Sequence, residues 1–482
     1  MWHPQRIRRA VAVASIATAM LSGTVRAQAP PSPDRPWPIP EGAGERALSR
    51  ESTQPIELHK RYDLAALIDL AQRSNPDTRA AWEAARAAAA AIGLVESTYL
   101  PRLTLEAIGG FEHTPLPVPK NLVPEGFFIS DTRQLIPVLA VKWLLFDFGQ
   151  RDAKLEAVRA ESFVANVSFT SAHQKLVLSV SQAYYNLGAA RGRLEAARKA
   201  LSTALVSQDA ATAKRARGLA TIVAVSQAER QTAQARFNVT RAEGAEATAR
   251  ANLIAALGIP AETPLDIADS SEVPLPPAPA QDVGIAIREA LTHRPDVIAA
   301  LGIIDSAEAA LKTEERSHRP VIALGGSAFQ NAGSVSSDDQ PFSSVNKPGG
   351  NILLSFEMPL FDGGERASRV AAAKARVREA EAKLAAARDV AANQVVTAHN
   401  DLMTSLAEHE AAEAVVRAAR TAYDGALRSY QQGVGTYTDL ATEENAVAQA
   451  EAQVEDARAA AHSAAAGLAF AIGTLATGKV NP

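Results

Sequence analysis

The chain has 482 residues, a net charge of −4, few aromatic residues and no cysteine. Its basic and acidic residues are interspersed, so no continuous basic face suits nucleic-acid phosphates, and we expect no nucleic-acid partner. The lack of cysteine excludes a disulfide scaffold and a lipid-modified N-terminal cysteine. An alanine-rich, aromatic-poor composition is instead typical of long, closely packed helices.

The N-terminus has the pattern of an export signal. Three arginines among the first nine residues precede an apolar run at 10–21, and small residues follow up to Ala27 or Ala29. We therefore predict a secretory signal peptide at 1–27, with a disordered basic tail as the alternative. Residues 28–60 contain six prolines between Pro30 and Pro40, which predict an extended leader.

The first half of the body alternates between helical and strand patterns. Asp63 and Asn75 are candidate helix caps, and Pro76 suits a first helical position. After Pro101 the apolar period changes from 3.6 to 2, which indicates strands. In chain order we expect helices at 64–72 and 76–97, strands at 103–111 and 138–146 around a loop at 113–131, and helices at 147–217 and 221–257 around a tip at Gly218. The first long helix would measure roughly 100 Å.

The second half repeats this plan, because three motifs recur 215 to 219 residues later. They are Asn75-Pro76-Asp77 with Arg294-Pro295-Asp296, Leu145-Phe146-Asp147-Phe148-Gly149 with Leu360-Phe361-Asp362-Gly363-Gly364, and Gly218-Leu219-Ala220-Thr221 with Gly433-Val434-Gly435-Thr436. We predict a helix at 283–316, strands at 320–330 and 351–361 around a loop at 331–350, and helices at 363–430 and 437–475 around a tip at Gly433. The domains are then repeat 1 (61–259), a linker (260–281), repeat 2 (282–477) and a tail (478–482), an internal structural duplication.

The strand faces agree between the repeats. In the second strand one face carries Leu139, Val141, Trp143 and Leu145, and the other carries Lys142. The corresponding strand places Phe356 and Met358 on the apolar face and Glu357 on the other. One face is lipid-like and the other is wet, as in a membrane β-barrel, although a soluble two-sided sheet gives a similar pattern.

The predicted strand number requires several chains. After the signal no stretch approaches the ~20 apolar residues of a membrane-spanning helix. Only a closed barrel otherwise satisfies the backbone in lipid, and a closed membrane barrel needs about eight strands or more. Each chain supplies four predicted strands, so three chains would form a barrel of twelve.

With these motifs the whole mature chain resembles the TolC-type outer-membrane efflux proteins. The resemblance implies an α+β membrane protein with long α-helical hairpins that form an α-barrel, and four β-strands per protomer in a shared trimeric 12-stranded β-barrel. It also implies a homotrimer in the outer membrane whose helical tunnel lies in the periplasm. A periplasmic adaptor (membrane fusion protein) and an inner-membrane pump of the RND or ABC type would dock at the tips, at Gly218, Leu219, Thr221, Gly433, Val434 and Thr436.

The resemblance also assigns a pore constriction at the periplasmic end. Six residues after the second tip glycine the family often has an acid, and this chain has Asp439; three residues further on it has Thr442, followed by Glu443 and Glu444. Threefold symmetry would make Asp439 and Glu443 rings of carboxylates that favour cations. Alternatively, Asp439 only stabilises the positive N-terminal end of the last helix.

The charged latch that closes the best-known members is incomplete here. Tyr430 matches the family's tyrosine, but Gly435 replaces its arginine and Ala224 replaces its acid. We therefore expect other contacts to close this pore, with Tyr430 as the remnant of the latch. On the strands, Lys142 and Glu357 would face the barrel lumen, while Val141, Trp143, Phe356 and Met358 would face lipid.

The sequence favours a passive conduit without a cofactor. It contains no His-Glu-x-x-His, no Gly-x-Ser-x-Gly and no phosphate-binding glycine loop, so we do not expect an enzyme. The expected function is an outer-membrane channel for small molecules or drugs expelled by the pump. A type I protein-secretion channel is the alternative, and a poreless periplasmic coiled-coil adaptor is a further one.

Overall fold

The computed structural model describes residues 60–121, 124–279, 282–337 and 340–475. The predicted signal peptide and the C-terminal tail lie outside the described residues, as does the leader except for residue 60. In the described part each repeat contains two short helices, two long strands and a helical hairpin.

The elements of repeat 1 begin with β1 (Arg61–Tyr62) and end with a long helical hairpin. They are α1 (Leu64–Ser74), α2 (Pro76–Glu96), β2 (Arg102–Pro117), β3 (Phe127–Phe146), α3 (Gln150–Ala216) and α4 (Ile222–Leu257). The linker contains β4 (Asp266–Ile267), which pairs in parallel with β1, and a short 3₁₀ turn at Ser270–Glu272.

Repeat 2 has the same order of elements. They are α5 (Val283–His293), α6 (Pro295–Arg316), β5 (Val321–Ser337), β6 (Ser343–Glu357), α7 (Glu365–Gln432) and α8 (Tyr437–Ile472). The helices α4 and α8 both have 36 residues, and α3 and α7 have 67 and 68. The predicted duplication and α+β class are therefore confirmed.

Two sequence predictions are wrong at their boundaries. A single helix was expected at 283–316, but Arg294 has an extended backbone and separates α5 from α6, because the residue before a proline avoids the helical region. The loops expected at 113–131 and 331–350 are largely strand. The prolines at 115 and 117 are tolerated in β2 because β2 is an edge strand, and the Gly/Ser-rich sequence of β5 and β6 is held by ladder hydrogen bonds rather than by apolar alternation.

The four long strands form one antiparallel sheet in the order β2-β3-β5-β6. The central pairing, β3 with β5, joins repeat 1 to repeat 2. Within this sheet the outer edges of β2 and β6 have no neighbouring strand among the described residues. The sheet therefore ends in two long open edges.

The helices form two antiparallel hairpins, α3 with α4 and α7 with α8. The two hairpins meet where α3 packs against α8, and α3 also packs against α6. The largest buried cluster joins α1, α3 and α4 and includes Leu67, Leu187, Leu253 and Leu257, each at most 1% exposed.

No helix of the described segments is long and apolar enough to cross a membrane.

Candidate functional site

The junction between sheet and hairpin uses the same backbone hydrogen bonds in the two repeats. The carboxylate of Asp147 accepts hydrogen bonds from the backbone N–H groups of Gly149 and Arg151, at 3.3 and 2.8 Å. Asp362 accepts from Gly364 and Arg366 at 3.0 and 2.9 Å. Gly149 and Gly364 both have φ +91, which favours glycine. In both repeats, the aspartate and the glycine thus form the turn at which the chain leaves the sheet and begins the long helix.

The motif around proline anchors the other end of each hairpin. The side chain of Asn75 caps α2 by accepting from Asp77 N, and its amide donates to the carbonyl of Ala256. In repeat 2, Arg294 donates to the carbonyl of Ala471 instead. Both residues therefore bind the last turn of the returning helix, which explains why an asparagine and an arginine occupy equivalent positions.

The hairpin tips combine a glycine with a capping threonine. Gly218 and Gly433 end the first helix of each hairpin with φ +75 and +80. The hydroxyl oxygens of Thr221 and Thr436 then accept from backbone N–H groups three residues later, both at 3.2 Å. Between them, Leu219 and Val434 are 73% and 80% exposed. The structure thus presents every residue of the predicted docking set at the ends of the hairpins.

Asp439 completes a capping box at the start of α8. Its Oδ2 atom accepts from the backbone N–H of Thr436 at 3.1 Å and from the Thr436 hydroxyl at 2.7 Å. The hydrogen bond from this hydroxyl lowers the pKa of the Asp439 carboxyl below its ordinary value. The capping role considered from sequence is therefore present, and the fully exposed, ionised carboxylate also remains available for a pore-lining role.

The other residues of the predicted constriction differ in their surroundings. Thr442 is exposed and its hydroxyl donates to the carbonyl of Thr438 at 2.9 Å, while Glu443 is half-buried. Glu444 is only 8% exposed, because its side chain points to α3, where the Ser207 hydroxyl donates to its Oε1 atom at 2.5 Å. The three predicted residues follow one another along α8, but Glu444 belongs to the contact between the hairpins.

Tyr430 is also part of this contact. It is 8% exposed and packs edge-on against Tyr437, with ring centroids 5.9 Å apart. Lys214 of the first hairpin lies 3.7 Å from the Tyr430 ring centre and donates to its carbonyl at 2.6 Å. Ala224 packs against the same cluster. A lysine and a serine of α3 therefore take part in the contact between the hairpins, as does Gln231 of α4, which donates to Asn445 of α8 at 2.7 Å.

Sequence reasoning missed Ser207 and Lys214, although one signal was available. Ser207 precedes the first tip glycine by 11 residues and Glu444 follows the second by 11, so antiparallel neighbours at equal height could have been paired. Nothing in the sequence marked α3 and α8, rather than another pair of helices, as the neighbours.

The sheet has one apolar and one polar face in the part next to the helices. Residues that are paired across neighbouring strands lie on the same face of the sheet. Val141 is paired with Leu103 on one side and Gly326 on the other, and Gly326 is paired with Ile352. Ile322 is paired with Phe356 on the same face. Lys142 and Glu357 lie on the opposite face through their partners Gly325 and Val321. The members of the apolar face are Leu103, Leu105, Leu139, Val141, Trp143, Leu324, Ile352, Leu354 and Phe356.

Two details differ from the sequence expectation. A register shift between Leu144 and Phe146 pairs Phe146 with Ile322, so Phe146 rather than Leu145 continues the apolar face. Met358 lies one residue past the end of β6 and is 44% exposed. The apolar face is nevertheless wide open: Ile352 is 81% and Leu105 is 77% exposed.

Comparisons with known proteins agree with this geometry. The outer membrane efflux protein family matches residues 67–259 and 286–474. Protein CyaE of Bordetella pertussis is 29% identical over 405 residues, covering 84% of this chain and 82% of that protein. Outer membrane protein OprJ of Pseudomonas aeruginosa is 24% identical over 387 residues, covering 78% and 76%. Among solved structures, the outer membrane protein VceC from Vibrio cholerae superposes with a TM-score of 0.68 at 22% identity, covering 85% of this chain and 96% of that one.

Proposed function

Because the chain belongs to the outer membrane efflux protein family, a family of outer-membrane channels and not of enzymes, we propose that three copies form a passive conduit for small molecules. A periplasmic adaptor and an inner-membrane pump of the RND or ABC type supply the cargo and the energy. The conduit itself needs no cofactor.

The observation that carries this proposal is the four-stranded sheet with two open edges. The edges β2 and β6 have 16 and 15 residues, and long open edges are an aggregation hazard unless another strand covers them. One face of the sheet is apolar and largely exposed. Pairing β6 of one copy with β2 of the next, three times, covers every edge and gives twelve strands with the apolar face toward lipid.

The same assembly places Lys142 and Glu357 toward the lumen and joins the hairpins into a tunnel. The α3 helix of 67 residues extends roughly 100 Å from the sheet, so the tips lie far from the outer membrane. At those tips the exposed Leu219 and Val434 offer apolar contacts to the adaptor.

At the tip end of the tunnel, three copies of Asp439 form a carboxylate ring. Within each chain, the hydrogen bonds from Thr436 lower the pKa of this carboxyl. A ring of carboxylates attracts cations and repels anions, so the channel is cation-selective.

Planar-bilayer recording of the detergent-purified protein tests the conduit. We expect cation-selective channels in wild type and weaker selectivity in Asp439→Asn, whereas Thr436→Val removes the cap partner and keeps the charge ring. Equal loss of selectivity in both variants would assign Asp439 to helix capping alone. The absence of channels from a folded protein would contradict the conduit.

A further inference from the structure

From the end of the sheet to the end of the hairpin, each structural position in repeat 1 has its equivalent in repeat 2 at a constant distance along the sequence. Five structural positions lie 215 residues apart: Asp147 and Asp362, Gly149 and Gly364, Gly218 and Gly433, Thr221 and Thr436, and Gly258 and Gly473. The hairpins therefore have no insertion relative to each other. Any position in one hairpin has a defined counterpart in the other.

This equivalence predicts which helices meet between copies. Within one chain, α3 of the first hairpin packs against α8 of the second. In a closed ring the first and second hairpins of successive copies alternate. The helix equivalent to α3 is then α7, and the helix equivalent to α8 is α4 of the next copy. The helix α7 of one copy should then pack against α4 of its neighbour as α3 packs against α8.

One ion pair between α3 and α8 has a counterpart between α7 and α4 of the next copy in which the acidic and the basic residue are exchanged. Arg193 of α3 donates to Asp456 of α8 at 2.7 Å. Shifting by 215 residues replaces Arg193 by Glu408 on α7 and Asp456 by Arg241 on α4. Both are exposed, and neither has an ion-pair partner within the described residues. The charges are exchanged, but a pair of opposite charges remains.

The charges along the two helices extend this complementarity. Three exposed arginines of α4 have no ion-pair partner in the described part of the chain: Arg230, Arg236 and Arg241. Six exposed acids of α7 likewise lack one: Glu381, Asp389, Asp401, Glu408, Glu410 and Asp424. Counted from the tips, Arg230 would lie within about one helical turn of Asp424 of the neighbouring α7, and Arg241 within about one turn of Glu408 and Glu410.

Apolar side chains give a second, independent match. Ala200 of α3 and Ala452 of α8 line one groove of about 470 Å³ between α3, α4 and α8. Their counterparts are Val415 on α7 and Phe237 on α4, which are 49% and 62% exposed. Large apolar side chains that face solvent in one copy would fill the equivalent groove between copies.

We propose that neighbouring copies join through α7 of one and α4 of the next, with Glu408 paired to Arg241 and Val415 packed against Phe237. The inference rests on the proposed ring of copies and specifies its contact surface. The exchanged polarity has a consequence for assembly. Within a chain the basic residue lies on the first helix of a hairpin, and between copies the acidic residue does. Pairing α3 with α4 of another copy, or α7 with α8 of another copy, would therefore place like charges together, which disfavours the wrong assembly.

Cross-linking tests the contact, and the absence of cysteine makes the natural chain a clean background. The variant Arg241→Cys with Glu408→Cys, treated with a short bis-maleimide in detergent, should run as covalent dimers and trimers on a denaturing gel. The matched control, Arg193→Cys with Asp456→Cys, should remain at the mass of one chain because its link lies within the chain. The pair Phe237→Cys with Val415→Cys repeats the test at a second position.

Native mass measurement of the same samples separates the two levels of the proposal. If the protein is a trimer by native mass but both cysteine test pairs run as single chains after cross-linking, the proposed contact is wrong and the proposed conduit is unaffected. Single chains by native mass would overturn the ring itself, and the contact with it. As a further check, Arg241→Glu alone should reduce the trimer fraction and Glu408→Arg in the same chain should restore it.

Discussion

Glu444 is a buried acid whose burial has a cost. Only one of its carboxylate oxygens has a hydrogen-bond partner, Ser207, and the other has none among the described atoms. Burial raises the pKa of this carboxyl above its ordinary value of 4.5, and the hydrogen bond from Ser207 opposes the rise only in part. Between 4.5 and the raised value, the unfolded chain is ionised while the folded chain holds a proton. The contribution of Glu444 to stability therefore falls as pH increases through that interval.

The variant Glu444→Gln should consequently be more stable than wild type at pH 8, with the difference shrinking toward pH 4.5. Glutamine keeps an oxygen for Ser207 and has no charge to bury. Thermal unfolding followed by circular dichroism in detergent, at both pH values, measures the change. The matched control is Glu443→Gln, which makes the same substitution at a half-buried neighbour on the same helix and leaves the contact of Glu444 with Ser207 in place. An equal gain at both pH values would contradict the explanation.

His462 shows the opposite pH dependence. Its ring stacks on Tyr185 with centroids 4.5 Å apart, and its Nε2 atom is buried without a partner in the described residues. Burial, followed by the nearby charges of Arg458 and His409, lowers the pKa of His462 from 6.5 to about 4. Below pH 6.5 the unfolded chain takes up a proton that the folded chain does not, so stability is lost as pH falls toward 4.

Replacing this ring by His462→Phe keeps the stack on Tyr185 and removes the titration. The fall in unfolding temperature between pH 7 and pH 4.5 should be smaller in the variant than in wild type. His399→Phe on α7 serves as the comparison, since that histidine lies outside the contact between hairpins. A variant with an undiminished fall would show that other groups cause the acid sensitivity.

At the scale of elements, the contact between α3 and α8 depends on a small residue. A Cβ atom at Gly192 would lie 2.4 Å from Cγ and 2.8 Å from Cβ of Glu455, so the glycine allows the two helices to approach closely. Gly192→Ala should therefore destabilise the protein by about 1–3 kcal/mol, as overpacking does. Gly425→Ala, on α7 with no atom within 4 Å, should instead stabilise by about 0.5–1 kcal/mol. Chemical denaturation of both variants in detergent measures the difference, and equal effects would contradict it.

The elements differ in how well the sequence predicted them, for a physical reason. Signals that act locally were sufficient: Asp63 caps α1, Thr436 caps α8, and Gly218 and Gly433 end their helices, each through contacts within a few residues. The ends of β2 and β5 depend on ladder pairing with the following strand, Pro117 with Phe127 and Val335 with Ser343, which the local proline and serine signals did not reveal. The site followed the same rule, because Asp439 caps its own helix whereas Glu444 needs Ser207, 237 residues away.

At the scale of the whole molecule, the two faces of the sheet should respond differently to the same charge. Ile352 and Asn351 are neighbours on β6; Ile352 lies on the apolar face, and Asn351 lies on the other, where its side chain accepts from Ser327 at 3.2 Å. In the proposed barrel, Ile352→Lys places a charge in lipid at a cost of about 2–4 kcal/mol near the midplane. Asn351→Lys places the same charge in the wet lumen.

We therefore expect Ile352→Lys to insert poorly into lipid vesicles and to lose the trimer, while Asn351→Lys inserts as wild type does. Vesicle flotation followed by native electrophoresis reads both steps. Because the variants differ by one position in the same strand, strand propensity and edge pairing change little between them. Equal insertion of the two would mean that the exposed apolar face does not contact lipid, and would favour a soluble sheet covered by another protein surface.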